Sequence, residues 1–465
     1  MTSLNGALES ALSGMRLAQQ NISIISGNIS NASNEDYTRK SLNTEAIIST
    51  SGQGGVRVIG YNRAVDAAIS NAYTGSLSEY GKTSAQSEYF TGLKDLFGIS
   101  TDSAQLSTTL SNFANAWQVL SSAPESIVNR SNVMSAGQAL ASEIKRVSSG
   151  IEAIDRQIRS DTGDAVAQVN GILGQVKDLN GRISSGVIAG QNVTDLQDQL
   201  DTKVRELSGY INIKILPGNQ GTVRLVTPQG FSLLDADATQ LSYNGTSIMA
   251  NGQDVSTYLT GGKLEALVNM RLDRSPATAS TDPGTEVIRK LRDQLEQVAQ
   301  NFLSPAGSPT SFAAAYNNAT TSTGELAAGF FTGSDRFNIT VNAALLNGSA
   351  TVKTAAVDTV TTTLTDSSRN YNVTGLSVQN TSYLGYVNSM LSNLGNSSAT
   401  ITSQSQLAGL TRDNYKERFS ANSGVNVDNE LATLTQVQNS YAVSAHIVSV
   451  IGEVYDILNQ MVARG

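Results

Sequence analysis

The 465-residue chain has no cysteine and a single histidine, His446, and these absences exclude several kinds of site. Without cysteine there is no disulfide, thiol nucleophile, iron–sulfur cluster or cysteine-ligated zinc. One histidine excludes multi-histidine metal sites and leaves one imidazole for acid–base catalysis. Asp and Glu stand singly, without the spacing of a calcium-binding loop. We therefore predict no catalytic site, no cofactor and no metal, and a protein that is not an enzyme.

Charged residues are also scarce, at 15% of the chain against about 25% in an ordinary soluble domain. Acidic residues outnumber basic ones, 39 to 31, and no basic block is present, so we expect no nucleic-acid partner. No unbroken run of eighteen apolar residues occurs, so we expect no membrane partner. The N-terminus lacks the basic and apolar regions of a cleaved signal peptide. The sequence thus predicts a protein that is either cytoplasmic or exported without a cleaved signal.

Two glycine-containing segments resemble nucleotide-binding motifs but lack essential parts. The segment from Ser76 to Thr83 resembles the end of a phosphate-binding loop, yet its glycine is one residue early, at Gly75, and no apolar strand precedes it. Residues 52–57 lack the third glycine of a dinucleotide fingerprint and lie between strand-like segments, which favours a hairpin turn. His446 falls at an outer position of a predicted C-terminal helix, where it is expected to face solvent or another subunit.

The clearest positive pattern is an apolar stripe with alternating steps of four and three residues at each end of the chain. The N-terminal stripe consists of Leu4, Leu8, Ala11, Met15, Ala18, Ile22, Ile25, Ile29 and Ala32; the C-terminal stripe consists of Leu434, Val437, Tyr441, Ser444, Val448, Ile451, Tyr455, Leu458 and Val462. A lone amphipathic helix is marginal in water, so each stripe needs a partner. We predict that the two terminal helices pair as a coiled coil and that their remaining faces contact neighbouring subunits. An ordinary helical hairpin core is the alternative.

The interior of the chain changes from helical to strand periodicity and back. Apolar stripes at Leu106–Leu120, at Val133–Ile158 and, after a change of register near 161–163, at Ala165–Ile183 predict long antiparallel helices, with Trp117 in the core. Alternating residues broken by Gly and Pro predict a small antiparallel β domain at 209–262.

The predicted fold is therefore mainly α with a small β domain: a terminal coiled coil, a long antiparallel helical bundle and an inserted β domain at its distal end. The corresponding division assigns 1–60 with 420–465 to an inner coiled-coil domain. It assigns 61–208 with 263–419 to a helical rod that contains some strands, and 209–262 to an outer β domain.

Residues 28–39 resemble the N-terminal signature of flagellar axial proteins, in which an Asn-rich helix end leads into a Gly-Tyr-Thr-Arg segment. Here Asp36 stands where glycine is usual. The C-terminal run 423–431 resembles the same family, and Phe330-Phe331-Thr332-Gly333 is similar to an element of its hook-associated protein 1 members. The residues that carry the two terminal motifs are Asn31, Asn34, Tyr37, Thr38, Arg39, Gly424, Val425 and Asn426.

The resemblance implies a structural subunit at the junction between the flagellar hook and filament, outside the cell, that self-assembles after type III export. The implied partners are copies of itself in a ring, hook protein on one side, and the second junction protein or filament on the other. An export chaperone is implied on the C-terminal helix. The alternatives are another axial protein (hook, rod or second junction protein), or an extracellular adhesin or surface-layer subunit.

Overall fold

The computed structural model describes residues 2–48, 54–99, 105–271, 282–304 and 311–464. Helices account for most of these residues, and the mainly α fold with small β-sheets predicted from the sequence is confirmed. The helices are α1 (Thr2–Ser30), α2 (Ala67–Phe97), α3 (Gln105–Ser122), α4 (Ile127–Ile188), α5 (Thr194–Ser208), α6 (Gly262–Met270), α7 (Val287–Leu303), α8 (Phe312–Asn317), α9 (Ala343–Leu346), α10 (Val357–Thr365), α11 (Tyr383–Ser423) and α12 (Val427–Arg464).

Every sheet in the described parts of the chain is antiparallel and has two or three strands. The strands are β1 (Lys40–Ile48), β2 (Gly54–Arg63), β3 (Lys214–Pro217), β4 (Val223–Val226), β5 (Ser232–Leu234), β6 (Leu241–Tyr243), β7 (Ile248–Ala250), β8 (Gln253–Asp254), β9 (Phe331–Thr332), β10 (Thr340–Val341), β11 (Arg369–Val373) and β12 (Leu376–Thr381). The predicted period-two region contains β3 to β8, which form two three-stranded sheets. Strands β1 and β2 pair as the predicted hairpin, although residues 49–53 of its turn lie outside the described residues.

Contacts divide the chain into two compact units. Unit 1 comprises 1–79, 168–240 and 409–465, and unit 2 comprises 80–167 and 241–408. The long helices α2, α4 and α11 contribute residues to both units, so three of the four boundaries fall within helices. The three-part division into inner, rod and outer domains stays a prediction.

The two apolar stripes at Val133–Ile158 and Ala165–Ile183 lie on one continuous helix, α4. It runs unbroken for 62 residues, through the point near 161–163 where a change of register was expected. Thr162 is fully buried and its hydroxyl donates to the carbonyl oxygen of Ile158 at 2.6 Å. Thr162 lies four residues after Ile158, which itself lies four after Ile154, and two successive steps of four shift the heptad register there. The expected change of register is therefore accommodated inside one helix, with the hydroxyl of the polar residue satisfied by the helix backbone.

The core of unit 2 is built around aromatic rings from α3, α7, α8 and β9. Trp117 is fully buried, as predicted, and the centroid of its ring lies 5.5 Å from that of Phe330. Phe330 and Phe331 are in edge-to-face contact with centroids 4.9 Å apart, a geometry that aromatic pairs prefer. The Phe-Phe element therefore serves as core packing. The segment that resembled a phosphate loop lies inside α2 and has no loop conformation.

Candidate functional site

The two terminal helices, α1 and α12, pack against each other in unit 1 and run antiparallel. Three pairs along their length define this direction. The Tyr455 hydroxyl donates to the side-chain oxygen of Asn5, Gly14 faces Ser444, and Asn28 donates to Glu430 at 3.0 Å. The start of α1 and the end of α12 therefore lie at the same end of the helix pair.

The predicted stripe residues lie mainly between the paired helices. Ala11, Ala18, Ile25 and Ile451 are buried. Leu4, Leu8, Met15, Ile22, Ile29, Ala32, Leu434, Val437, Tyr441, Ser444, Val448 and Tyr455 are half-buried. Leu458 is exposed, and the side chain of Val462 lies outside the described residues. Their role as a subunit interface stays a prediction.

Gly14 contributes to the close approach of the two helices, and sequence reasoning missed it. A Cβ atom built at Gly14 would lie 3.1 Å from the hydroxyl oxygen of Ser444, closer than nearly all real Cβ contacts. Glycine inside a helix is unfavourable by about 1 kcal/mol relative to alanine. A glycine beside the stripe in the middle of a helix therefore signals a packing requirement.

Helix α12 carries a second apolar stripe, here called the outer stripe, next to the one that faces α1. Its members recur at steps of four and three residues: Val443, Ile447, Val450, Val454, Ile457 and Met461. Five of the six are exposed, from 42% for Ile447 to 67% for Met461, and Val454 is half-buried. Residues 431–452 contain no Asp, Glu, Lys or Arg. A regular apolar stripe in contact with water suits contact with another molecule.

The C-terminal helices include a stretch whose length and apolar composition match those of a membrane span. Among the described residues, one stretch within Tyr383–Met461 is long and apolar enough, by length and composition, to cross a membrane, and little of it is buried. The unbroken-run criterion applied to the sequence missed this stretch because polar residues interrupt it. His446 lies exposed on α12, in agreement with its predicted outer position on the C-terminal helix.

Residues of the N-terminal motif form a buried polar cluster at the base of the helix pair, which is the end where α1 finishes and α12 begins. Asn28 is fully buried, and its side-chain amide makes four hydrogen bonds. The nitrogen donates to the carbonyl oxygen of Lys40 at 2.9 Å and to Glu430 at 3.0 Å. The oxygen accepts from the Tyr37 hydroxyl at 2.9 Å and from the Lys40 N–H at 3.0 Å. Asn28 thus joins α1, β1 and α12.

Asp198 of α5 is the second centre of this cluster. Its carboxylate accepts from the Thr38 hydroxyl at 2.6 Å and lies 2.8 Å from the Arg63 guanidinium and 3.2 Å from the Lys40 ammonium. Lys40 is itself buried and also contacts Asp195. A buried charge is stable only when paired and hydrogen-bonded, and here each is. The arrangement holds the hairpin against α5.

Burial raises the pKa of Tyr37 to about 12, and the nearby carboxylates of Asp195, Asp198 and Glu430 add to the effect. The Lys40 ammonium also lies 3.9 Å from the centre of the Tyr37 ring. Tyr37 is therefore neutral at physiological pH and acts as a hydrogen-bond donor. Among the described residues, no group of three His, Asp or Glu side chains is placed to hold a metal ion.

Asp36, at the position where glycine is usual in the resembling family, forms an ion pair with Arg205 at 2.8 Å. The Arg205 guanidinium lies over the Phe419 ring, 5.1 Å from its centre, and the Phe419 ring contacts that of Tyr73. The backbone at Asp36 does not have positive φ, so the turn does not need glycine here.

The remaining motif residues shape turns and helix ends. Asn31 donates from its side chain to the carbonyl oxygen of Gly27 at 2.9 Å, and Asn34 accepts from the Asp36 N–H at 3.1 Å. A Cβ at Gly424 would collide with the carbonyl oxygen of Ser420. Val425 is half-buried. Asn426 caps α12 by accepting from the Asn429 N–H at 3.1 Å.

Glu430 and Asp198 were not recognised as site residues from the sequence. Glu430 is 1% exposed and is bound by Arg39 at 2.6 Å as well as by Asn28. A signal was available, because Glu430 is the last charged residue before the uncharged stretch 431–452. Asp198 carried no such signal, since it lies 160 residues from Thr38 and stands among several other acidic residues.

An antiparallel pair of terminal helices that leaves a regular apolar stripe in contact with water defines an assembly-type protein. Residues 91–331, just over half of the chain, match the family model for the helical domain of flagellar hook-associated protein FlgK. The chain belongs to that family.

Curated relatives agree with this assignment. Flagellar hook-associated protein 1 of Salmonella typhimurium is 28% identical over 244 residues, which cover 51% of this chain and 44% of that protein. The Bacillus subtilis protein of the same name is 26% identical over 271 residues, covering 55% and 53%. The chain thus spans about half the length of the curated relatives it matches. The solved structure of the flagellar hook junction protein FlgK from Burkholderia pseudomallei is 21% identical, covers 56% of this chain and 47% of that one, and superposes with a TM-score of 0.45.

Proposed function

We propose that this chain is a structural subunit of the flagellar axis at the junction between hook and filament. Family membership supports an axial role. The observation that carries the assembly step is the outer stripe: α12 already has a partner in α1, yet it presents a second apolar stripe to solvent. A helix with two adjacent stripes can hold its own chain together along one and a neighbouring copy along the other.

In the assembled ring, the outer stripe of one copy meets the terminal helix pair of the next. Helix α1 suits this contact because Glu9 and Arg16 are its only charged residues. Burial of exposed Val, Ile and Met side chains drives the association. The stripe that pairs α1 with α12 serves as the internal interface, and the motif residues fix the base of the pair.

The domain roles follow the same proposal. The coiled coil of 1–60 and 420–465 is the innermost part, the rod of 61–208 and 263–419 surrounds it, and 209–262 lies outermost. Hook protein contacts one side of the ring, and the second junction protein or filament contacts the other. The chain reaches the exterior through type III export. An export chaperone binds α12, since an amphipathic helix fits a partner's apolar groove.

The test uses hooks purified from cells that lack this protein. We expect the purified chain to sediment with these hooks and to remain in the supernatant with filaments alone. For a variant with Ile447→Gln and Ile457→Gln, far fewer copies should bind to each hook. Failure of the unmodified chain to sediment with hooks would contradict the proposal. Flotation of the chain with phosphatidylcholine vesicles would instead indicate that its apolar stretch binds membranes.

A further inference from the structure

The paired stripes of α1 and α12 do not by themselves fix how far one helix lies along the other. Both stripes repeat every seven residues, so moving α12 by seven residues returns apolar side chains to apolar side chains. In the observed register Gly14 faces Ser444; after such a shift it would face Val437 or Ile451. Heptad pairs of this kind commonly need one polar residue to specify a single register.

Glu430 has the geometry of such a residue. It lies in the first turn of α12, where the helix dipole favours a negative charge. Its two carboxylate oxygens have different partners: one accepts from Asn28 of α1 at 3.0 Å and the other from the Arg39 guanidinium at 2.6 Å. The side chain is 1% exposed, so water cannot replace either partner.

The partners of Glu430 are themselves held in place. The remaining hydrogen bonds of Asn28 go to Tyr37 and to the backbone of Lys40. The N–H of Arg39 donates to the carbonyl oxygen of Ser423 at 2.7 Å, just before α12 begins. A shift of seven residues would move Glu430 by about 10 Å along the helix axis. Asn28 would then lose an acceptor inside the protein, where an unpaired polar group is strongly unfavourable.

We propose that Glu430, clasped by Asn28 and Arg39, is the positioning residue that selects one register for the terminal helix pair. The inference goes beyond the proposed function, because it concerns packing within a single chain and stands whether or not that chain assembles at the flagellar junction. Register matters for assembly because it decides which residues of α1 lie beside the outer stripe of α12.

The absence of cysteine allows register to be read by disulfide cross-linking. A Cβ built at Gly14 lies 4.0 Å from the Cβ of Ser444, within the range that a disulfide spans. The pair Gly14→Cys/Ser444→Cys reports the observed register. The pairs Gly14→Cys/Val437→Cys and Gly14→Cys/Ile451→Cys report the two shifted registers. All three double-cysteine variants are oxidised as monomers in dilute solution, so that disulfides between copies do not contribute to the cross-linking.

With Glu430 present we expect cross-linking of the 14–444 pair alone. With Glu430→Leu, the ratio of shifted to observed cross-links should rise about tenfold or more, since a hydrogen bond to a charged group biases an equilibrium by that factor. Glu430→Gln is the matched control, because its amide oxygen can still accept from Asn28, and it should keep the observed register.

Exclusive 14–444 cross-linking in the Glu430→Leu chain, at the same rate as in Glu430→Gln, would overturn the proposal. If Glu430→Leu loses its helical circular dichroism, Glu430→Ala is used instead, because it keeps the other three hydrogen bonds of Asn28 and the smaller side chain leaves space for water beside the Asn28 amide. Loss of helix in that variant as well would show that the clasp is needed for folding and does not select register, and would equally overturn the proposal.

Discussion

Replacing Ile447 and Ile457 of the outer stripe by glutamine should weaken self-association without unfolding the chain. These side chains are 42% and 57% exposed in the single chain. Burying a whole isoleucine contributes about 1.5–3 kcal/mol, so the exposed fractions of the two together correspond to about 1.5–3 kcal/mol per interface. That range weakens association by about 10- to 150-fold. Sedimentation velocity over a concentration series measures the change.

Two matched variants separate assembly from folding. Leu410→Gln on α11 changes a residue that is 69% exposed outside the stripe, and it should leave association unchanged. Ile451→Ala removes a side chain buried between α1 and α12, 5% exposed, and should destabilise the monomer by about 2–5 kcal/mol. If the double glutamine variant associates as tightly as the unmodified chain, or loses helical circular dichroism, the outer stripe is not an assembly surface.

Three further predictions concern the packing around Phe330 and the ion pair of Asp282 with Lys82. Gly137→Ala should destabilise the protein by about 1–3 kcal/mol in thermal unfolding, because the added Cβ would lie 2.8 Å from the Phe330 ring. The control Gly171→Ala in the same helix, where nothing lies within 4 Å of the added Cβ, should stabilise the protein by up to about 1 kcal/mol. Equal changes in stability for the two variants would contradict the close packing of Gly137 on Phe330. Phe330→Ala should lower stability by about 3–5 kcal/mol, seen as an earlier transition in the fluorescence of the single tryptophan; an unshifted transition would refute this. Burial alone would raise the pKa of Asp282, but the Lys82 charge and hydrogen bonds outweigh it and hold the pKa below its usual value. The ion pair therefore stabilises the fold at pH values above the ordinary carboxyl pKa, and this stabilisation is lost as the pH falls through the lowered pKa. Asp282→Asn should accordingly be less stable than the unmodified chain at neutral pH and lose less stability on acidification. An unchanged dependence of unfolding stability on pH in this variant would contradict the role of the pair.

Heptad spacing was sufficient to predict the terminal helices and their pairing, because each stripe is nearly free of polar interruptions. The same spacing placed Trp117 in the core. The outer stripe of α12 has the same heptad spacing from Val443 to Met461. From the sequence alone, however, these residues were predicted only to belong to the remaining helix faces that contact neighbouring subunits. Only the packed structure separates the stripe that α1 covers from the one that stays exposed.

The polar cluster could not be predicted, because its members are distant in the chain. Asn28 and Glu430 are 402 residues apart, and Thr38 and Asp198 are 160 apart. No local spacing connects such pairs. The family motif marked Tyr37, Thr38 and Arg39 as a unit, but their partners on α5 and α12 became visible only when the fold brought them together.

The most direct test of the proposed junction role is electron microscopy of cells that lack this gene, combined with an assay for filament subunit in the medium. We predict hooks that bear no filament, with filament subunit lost to the medium, and recovery of filaments when the unmodified gene is restored. Cells without hooks would assign the chain to the rod or hook instead. Normal filaments and normal motility, in a strain with no second copy of the gene, would contradict the junction role.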